Sequence, residues 1–455
     1  MILLLGLVIT ILLPIKLTVE EFGYWQLYFF YSSFVGLFML GMADGIHLRF
    51  AGIDYTNLNK KRFRLYFRFT LLHSFTMFLI ISLLITYFVE DSNRAFALFF
   101  ISLNIVIFNI NGFFIHVNQV TSRFKYYSWG IVLDRIIFVL SIIPMILLSF
   151  ESYKYYVILN ILSRSFVIIY HIFTSKELVF GDVDSFIENK KDILSLMKTG
   201  MFLTISSILS MLLISFPRLI IDKFYGIEEF ATFSFANSIL SIGIQLVIAA
   251  STVIYPMLKK MDQGNYEETS NLLNISVWIF GAIILSIYFP IEYFILMYLP
   301  KYQSILNYLF ILFPMMIYQC KNNIVITTLF KTLRFEKEML LINLCGITVN
   351  IFVTLLSFYF FKTIISIIAA SVCCFAIWVY ISDIYIKMKC NWKNSYYYLD
   401  FLILISFIST SQIQNWIIGL FVYILCLLSI ALLFKTKFII WYGKLLCLLR
   451  NKASN

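Results

Sequence analysis

The chain has 455 residues, 61% hydrophobic, 18% aromatic and only 13% charged, with a net charge of +11. Soluble domains are about 25% charged and about 45–50% apolar, so this composition excludes a soluble enzyme or a nucleic-acid binder. Charge-poor runs recur near the ~20 residues that cross a bilayer as a helix, and the chain reads as an all-α, polytopic membrane protein.

The hydropathy pattern predicts about 14 spans, at 2–17, 24–43, 65–89, 95–117, 127–149, 155–174, 199–221, 229–257, 271–291, 304–330, 338–360, 363–386, 397–412 and 416–434. The first, MILLLGLVITILLP, lacks a basic lead and a small-residue cleavage site, and reads as a retained span, not a signal peptide. The segment 175–198 contains ENKKDILSLMK, whose Ile and Leu spacing predicts an amphipathic helix at the membrane surface. The tail FIIWYGKLLCLLRNK mixes apolar, Trp/Tyr and basic residues and reads as a second interfacial helix. The expected division is an N-lobe at 1–174, a cytoplasmic linker at 175–198, a C-lobe at 199–386, and two extra helices with a tail at 387–455.

Of the 35 lysines and arginines, 24 fall in loops after even-numbered spans or in the tail, six in loops after odd-numbered spans, and five inside spans. That asymmetry is a positive-inside signal. It predicts that both termini are cytoplasmic, and it accounts for the net charge without a nucleic-acid partner. External loops are short, leaving no room for an outer catalytic domain. The seven cysteines form no CxxC or Cys/His spacing, so neither a disulfide framework nor a zinc site is expected. No GxxxxGK[ST] motif occurs, which argues against direct drive by ATP. No cofactor or metal is expected, and the chain reads as a non-enzyme.

Glu-Glu-Phe occurs after the first span (Glu20, Glu21, Phe22) and again after the seventh (Glu228, Glu229, Phe230). Each copy follows a basic residue, Lys16 or Lys223, and precedes an aromatic-rich span. Six spans separate the copies, an even number, so both enter the membrane in the same direction. This predicts a parallel repeat, two six-helix lobes related by an axis along the membrane normal, with the last two helices outside the repeat. Such a repeat implies rocking transport in place of scaffolding.

The stretch KLTVEEFGYWQLYFFYSSFVGLFMLGMADGIHLRFAG (16–52) resembles the start of bacterial polysaccharide flippases of the Wzx type. These belong to the multidrug/oligosaccharidyl-lipid/polysaccharide exporter superfamily. The resemblance is carried by EEFG after the first span, Leu40–Gly41, and Arg49 just past the second; FPRLIIDKFYGIEEFATFSFANSIL (216–240) is similar to that family's junction of spans seven and eight. It implies a MATE-like exporter fold of fourteen helices in the bacterial inner membrane. It implies as cargo an oligosaccharide on undecaprenyl diphosphate, destined for O-antigen, capsule or exopolysaccharide. Membrane lipids, H+ or Na+, and other polysaccharide assembly proteins are the partners that go with it.

Five basic residues lie inside spans, where each costs about 2.5–3.5 kcal/mol on insertion scales. Arg68 is one turn into the third span and reads best as snorkelling to the surface. Arg135 lies about 12 Å into the fifth span; a cavity role and a pairing role stand level, and its neighbour Asp134 is free to pair with another helix. Arg164, near the middle of the sixth, shares a face with Asn160 and His171 and is the lead candidate for contact with a diphosphate. Asn104, Asn111 and Asn118 repeat every seven residues on the fourth span, a stripe that fits interhelical hydrogen bonds or cavity lining equally. Arg218 has Asp222 four residues on, so a surface pair competes with a ligand contact. Lys321 shares a face with Tyr318 and Asn322 and is expected to reach a cavity. The candidate cargo residues are thus Arg164, Lys321, Arg135, Arg218, Arg68, Arg49, Asn111 and Asn160. Asp134 and Asp222 are candidate ion-coupling acids, with Asp383 and Asp400 also available.

Guanidinium groups pair bidentately with phosphate oxygens, and amides can meet sugar hydroxyls. A multidrug or cation antiporter would want acids in the cavity, whereas the deep charges here are mostly basic. A polysaccharide polymerase would want a large outer loop. A lipid II flippase shares the fold and is poorly separated by sequence.

Overall fold

The computed structural model describes residues 2–259, 266–392 and 397–435, and among these every regular element is helical. The expected interfacial helix in the tail lies outside the described residues. The chain divides into two compact units, one of residues 1–212 and 222–234, the other of 213–221 and 235–455.

The first unit opens with α1 (Ile2–Lys16) and α2 (Val19–Ser32). Thr18 caps α2 by accepting from the Glu21 N–H at 3.2 Å, and Glu20 and Glu21 lie in the first turn, where acids suit the helix dipole. The expected second span, 24–43, is not one helix. After α2 the chain winds a 3-10 turn (Val35–Met39), passes Leu40 and Gly41 in the left-handed region, and restarts as α3 (Met42–Phe50). The two pieces are bent by 58°. Leu40–Gly41, one of the points of resemblance, is the break itself.

Glycine explains what that break permits. A Cβ on Gly200 would stand 1.9 Å from the Gly41 carbonyl oxygen, and one on Gly45 would stand 2.2 Å from the Leu196 carbonyl oxygen. The Gly41-x3-Gly45 pair therefore lays α3 directly on the backbone of α8, the contact that small residues allow between membrane helices.

The remaining helices of this unit are α4 (Lys60–Phe88), α5 (Ser92–Val120), α6 (Phe124–Leu147) and α7 (Tyr153–Thr174). Buried Phe113, Phe114 and Val117 of α5 pack with Met42, Ile46, Phe63, Tyr66 and Phe67 from α3 and α4. On α4 the outward stripe Leu72, Phe75, Leu79 and Leu83 is exposed, which suits hydrocarbon as solvent and would be an aggregation surface in water.

The segment 175–198 does not form a separate surface helix. After a short 3-10 turn (Lys176–Leu178), one continuous helix, α8, runs 39 residues from Phe186 to Phe224 and absorbs the expected seventh span. At 1.5 Å per residue it is about 58 Å long, well beyond the ~30 Å hydrocarbon core. Its charged first third is held by basic residues from the end of α3 and the start of α4: Arg49 donates to Asp192 at 2.6 Å and to Ser195 at 3.0 Å, and Arg62 donates to Asn189 at 2.8 Å. Glu228 and Glu229 lie in the first turn of α9 (Ile227–Lys259), as their repeat partners do in α2. The two copies touch: a Cβ on Gly23 would stand 2.7 Å from the Ile227 carbonyl oxygen, and the rings of Phe30 and Phe230 are 5.9 Å apart.

The second unit contains α10 (Tyr266–Ser286) and α11 (Tyr288–Tyr298), then α12 (Leu306–Cys320), a π-helical turn (Lys321–Ile326) and α13 (Thr327–Thr332). These are followed by α14 (Glu336–Phe361), α15 (Ile364–Cys390), α16 (Tyr397–Thr410) and α17 (Trp416–Leu433). The span Pro300–Thr332 is the most buried of the spans compared, at 78%, so it forms the centre of this unit. Tyr288, Phe289, Phe313, Phe407 and Tyr423 interlock around it through ring contacts of 5.4–6.4 Å.

Among the described residues, ten helices are long and apolar enough to cross a membrane, or eleven if the bent α2–α3 pair is one span. The protein is a multi-pass membrane protein.

Candidate functional site

In the first unit, polar side chains from α2, α5, α6 and α7 meet along the helices. Asn160 and Arg164 of α7 supply one side. Arg164 Nη1 donates to Asn104 Oδ1 at 2.9 Å, and Asn111 Nδ2 donates to the Arg164 carbonyl at 3.1 Å. The asparagine stripe of α5 therefore makes interhelical hydrogen bonds, one of its two expected roles. Asn118, the third member, is buried with neither side-chain polar atom bonded among the described residues. Asn160 is buried and accepts from the Tyr28 hydroxyl at 2.8 Å.

Arg135 is half-buried on α6 and lies within the electrostatic reach of both Asp134 and Arg164. Asp134 accepts from the Ser163 hydroxyl at 3.3 Å. Neither Arg135 nor Arg164 makes a contact ion pair among the described residues. Two guanidinium groups thus share one nearby acid, in helices where an isolated charge is costly. His171 points elsewhere: it is fully buried and stacked on Phe114 at 5.4 Å, where its ring also blocks any side chain at Gly130.

The other candidates separate. Arg68 is exposed on α4, as expected for a snorkelling side chain. Arg49 is committed to Asp192 and Ser195. Arg218 is half-buried on α8. Asp222, expected to face Arg218, is buried and forms an ion pair with Arg94, while accepting from the Tyr31 hydroxyl at 2.6 Å. Lys321, expected to reach a cavity, is 2% exposed and lies 3.1 Å from Asp400 and 3.6 Å from Asp383.

Several functional-looking groups carried no sequence signal. Tyr28 lies in an aromatic run that carries no mark of its bond to Asn160. The Glu21 carboxylate accepts from the Tyr153 N–H at 2.6 Å and so caps α7, and Tyr24 donates to Asp91 at 2.6 Å. Glu21 of the EEFG motif thereby ties α2 to the start of α7, and the next residue but two, Tyr24, ties it to the N-cap of α5, which positions the polar faces of these helices. Among the described residues no group of three His, Cys, Asp or Glu could hold a metal ion.

The fold is similar to that of a lipid II flippase, MurJ, in an inward closed conformation, with a TM-score of 0.73 at 13% identity over 96% of this chain and 98% of that one. It is also similar to an inward-facing multidrug resistance MATE family transporter of the MOP superfamily, with a TM-score of 0.64 at 13% identity over 85% of this chain and 94% of that one. A MATE structure in complex with MaL6 aligns at a TM-score of 0.53 and 11% identity, over 84% and 95% of the two chains. The exporter fold expected from the repeat and the resemblance is therefore the fold observed. No curated protein matches the chain. The family model described as "Polysaccharide biosynthesis protein" matches residues 1–262, more than half of the sequence, and the chain belongs to that family.

Proposed function

We propose that this protein is a flippase. It turns an oligosaccharide linked to undecaprenyl diphosphate from the cytoplasmic to the outer leaflet of the bacterial inner membrane, by alternating access coupled to an ion gradient. The carrying observation is the Arg164 and Arg135 pair, two intramembrane guanidinium groups without a contact carboxylate among the described residues. A diphosphate supplies the missing negative charge and accepts bidentate bonds from guanidinium. Asn104, Asn111 and Asn160 offer amides of the kind that meet sugar hydroxyls. The family's link to polysaccharide biosynthesis supports an oligosaccharide cargo, and the fold supports transport in place of catalysis.

The test is leaflet-resolved. The full chain in liposomes should make a lipid-linked oligosaccharide accessible from the far side. Arg164→Ala should slow this about 10- to 100-fold, the loss of one charge-assisted hydrogen-bonding group. Wild-type protein that moves no lipid, or an Arg164→Ala variant as fast as wild type, would refute the reading. A lipid II flippase is the second reading, favoured by the likeness in fold to MurJ. Competition between the two lipids for one protein decides between them.

A further inference from the structure

Four charged side chains meet in the interior of the second unit. Lys321 opens the π-helical turn, Asp383 and Lys387 sit one turn apart on α15, and Asp400 lies in the first turn of α16. Lys321 Nζ is 3.1 Å from Asp400 Oδ2 and 3.6 Å from Asp383 Oδ2, and Lys387 Nζ is 2.9 Å from Asp383 Oδ2. The side chains of Asp383 and Asp400 are each 1% exposed. The Tyr380 hydroxyl donates to Asp400 Oδ2 at 3.0 Å. The rings of Tyr380 and Tyr397 lie 4.8 Å from the Lys321 ammonium, and Tyr318 meets Tyr380 at 5.8 Å. The surrounding elements add few other charges: α10 carries Glu267 and Glu268 at its N-terminal end, and Glu338 of α14 holds Lys389 at the surface. Cys320 is buried beside Lys321, and Cys373 is an exposed residue of α15.

Two features distinguish this cluster from a static ion-pair lattice. Oδ1 of Asp383 and Oδ1 of Asp400 are both buried with no hydrogen-bond partner among the described residues. A π-helical turn also sits at Lys321, a backbone form that is rare and frequent at functional sites. With all four groups ionised the cluster is neutral, so one added proton changes its net charge. A metal cation entering it would stand beside two ammonium groups.

We propose that this cluster is a proton-exchanging site, the coupling device of the transport reading on which the proposal rests. Asp400 takes a proton on Oδ1 from water at one face of the membrane. Its carboxyl becomes neutral and its hold on the Lys321 ammonium is lost. Return of that proton to water at the other face restores the carboxylate and the pair. No other bond is made or broken, and the exchanged ion is H+ and not Na+.

The test uses the full chain in liposomes. Infrared difference spectra between about pH 5 and about pH 8, a range in which histidine alone among unperturbed side chains titrates, are expected to show a carboxyl band. The band should vanish in Asp400→Asn and persist in the surface variant Asp192→Asn. If Asp400→Asn fails to fold, Lys321→Gln/Asp400→Asn keeps the cluster neutral and replaces it. Absence of the band, or its survival in these variants, overturns the proposal. In the same vesicles, a gradient of one pH unit should shift the leaflet ratio of fluorescent undecaprenyl-diphosphate-N-acetylglucosamine about tenfold for one coupled proton. Asp400→Asn should abolish that shift, and a Na+ gradient should produce none. A shift driven by Na+ also overturns the proposal. Protein that shows the band but moves no lipid keeps the proton site and refutes the transport reading; protein that moves lipid without the band refutes the site alone.

Discussion

Arg164 illustrates how far a single residue can be read. Its depth and its shared face with Asn160 were visible in the spacing, and so was the asparagine stripe it bonds. What joins them is Asn104, sixty positions away, and no periodicity links two helices across that distance. Lys321 shows the same limit more sharply. The Asp383–Lys387 pair is an i, i+4 pattern, but Asp400 reaches Lys321 only through the packing of α16. Arg94 and Asp222 form another such pair, in which Asp222 is buried. Arg94→Ala leaves that carboxylate with Tyr31 as its remaining described partner. The expected loss is about 1.5–3 kcal/mol, measured by thermal unfolding in detergent, with Arg94→Lys intermediate. Asp91 gives a pH prediction. Burial alone would raise its carboxyl, but hydrogen bonds from Tyr24 and from the Arg94 and Asn93 N–H groups, with the Arg94 charge, hold it below its ordinary 3.8. A lowered folded value stabilises above the unfolded value, and that contribution is lost as pH falls through the folded one. Asp91→Asn should therefore melt earlier than wild type at neutral pH, and the two curves should converge at low pH.

At the scale of elements, most spans were legible because 3.6-residue hydrophobic runs of bilayer length leave few alternatives. The observed α5 and α7 contain the expected spans, and α4 and α6 start a few residues before theirs and end one or two residues short of them. The failures have local causes. Hydropathy cannot register that Leu40 and Gly41 take left-handed backbone, so α2 and α3 read as one apolar run. Nor can it end a helix at Lys198, because charge on a continuous helix marks where it leaves the membrane and does not terminate it. The glycine contact between α3 and α8 had no signal beyond three isolated glycines. It carries a clear expectation: Gly200→Ala places a methyl against the Gly41 carbonyl, a backbone atom that cannot rotate away. Overpacking of this kind costs about 1–3 kcal/mol. Gly6→Ala, where no atom lies within 4 Å, is the control, and both are read as shifts in melting temperature.

For the whole molecule, the charge asymmetry of the loops makes the most direct prediction. With the native cysteines replaced, Ser122→Cys should react with an impermeant maleimide only after the membrane is opened. Glu151→Cys, one span later, should react in intact spheroplasts. Labelling of both from one side would overturn the orientation. The polytopic class was legible from composition and span pattern, and the exporter fold from the resemblance carried by residues 16–52 and 216–240. The division into units was less so, because residues 222–234 join the first unit through contacts such as Gly23 with Ile227 and Ala231, which no sequence period encodes.

The length of α8 has a mechanical consequence. A helix without an interruption behaves as a stiff rod, and sharp bends need proline, a π-bulge or an inserted group. In α8 the single proline, Pro217, lies close to the C-terminal end. The first thirty residues therefore have no hinge of that kind, and a tilt imposed where Arg49 and Arg62 grip the first third must reappear, amplified by leverage, at the opposite end. A pair of glycines inserted after Met201 would turn the rod into two loosely joined sticks. Such a protein should still melt cooperatively, but a spin label near Ser210 should no longer report disruption of the Arg49 grip.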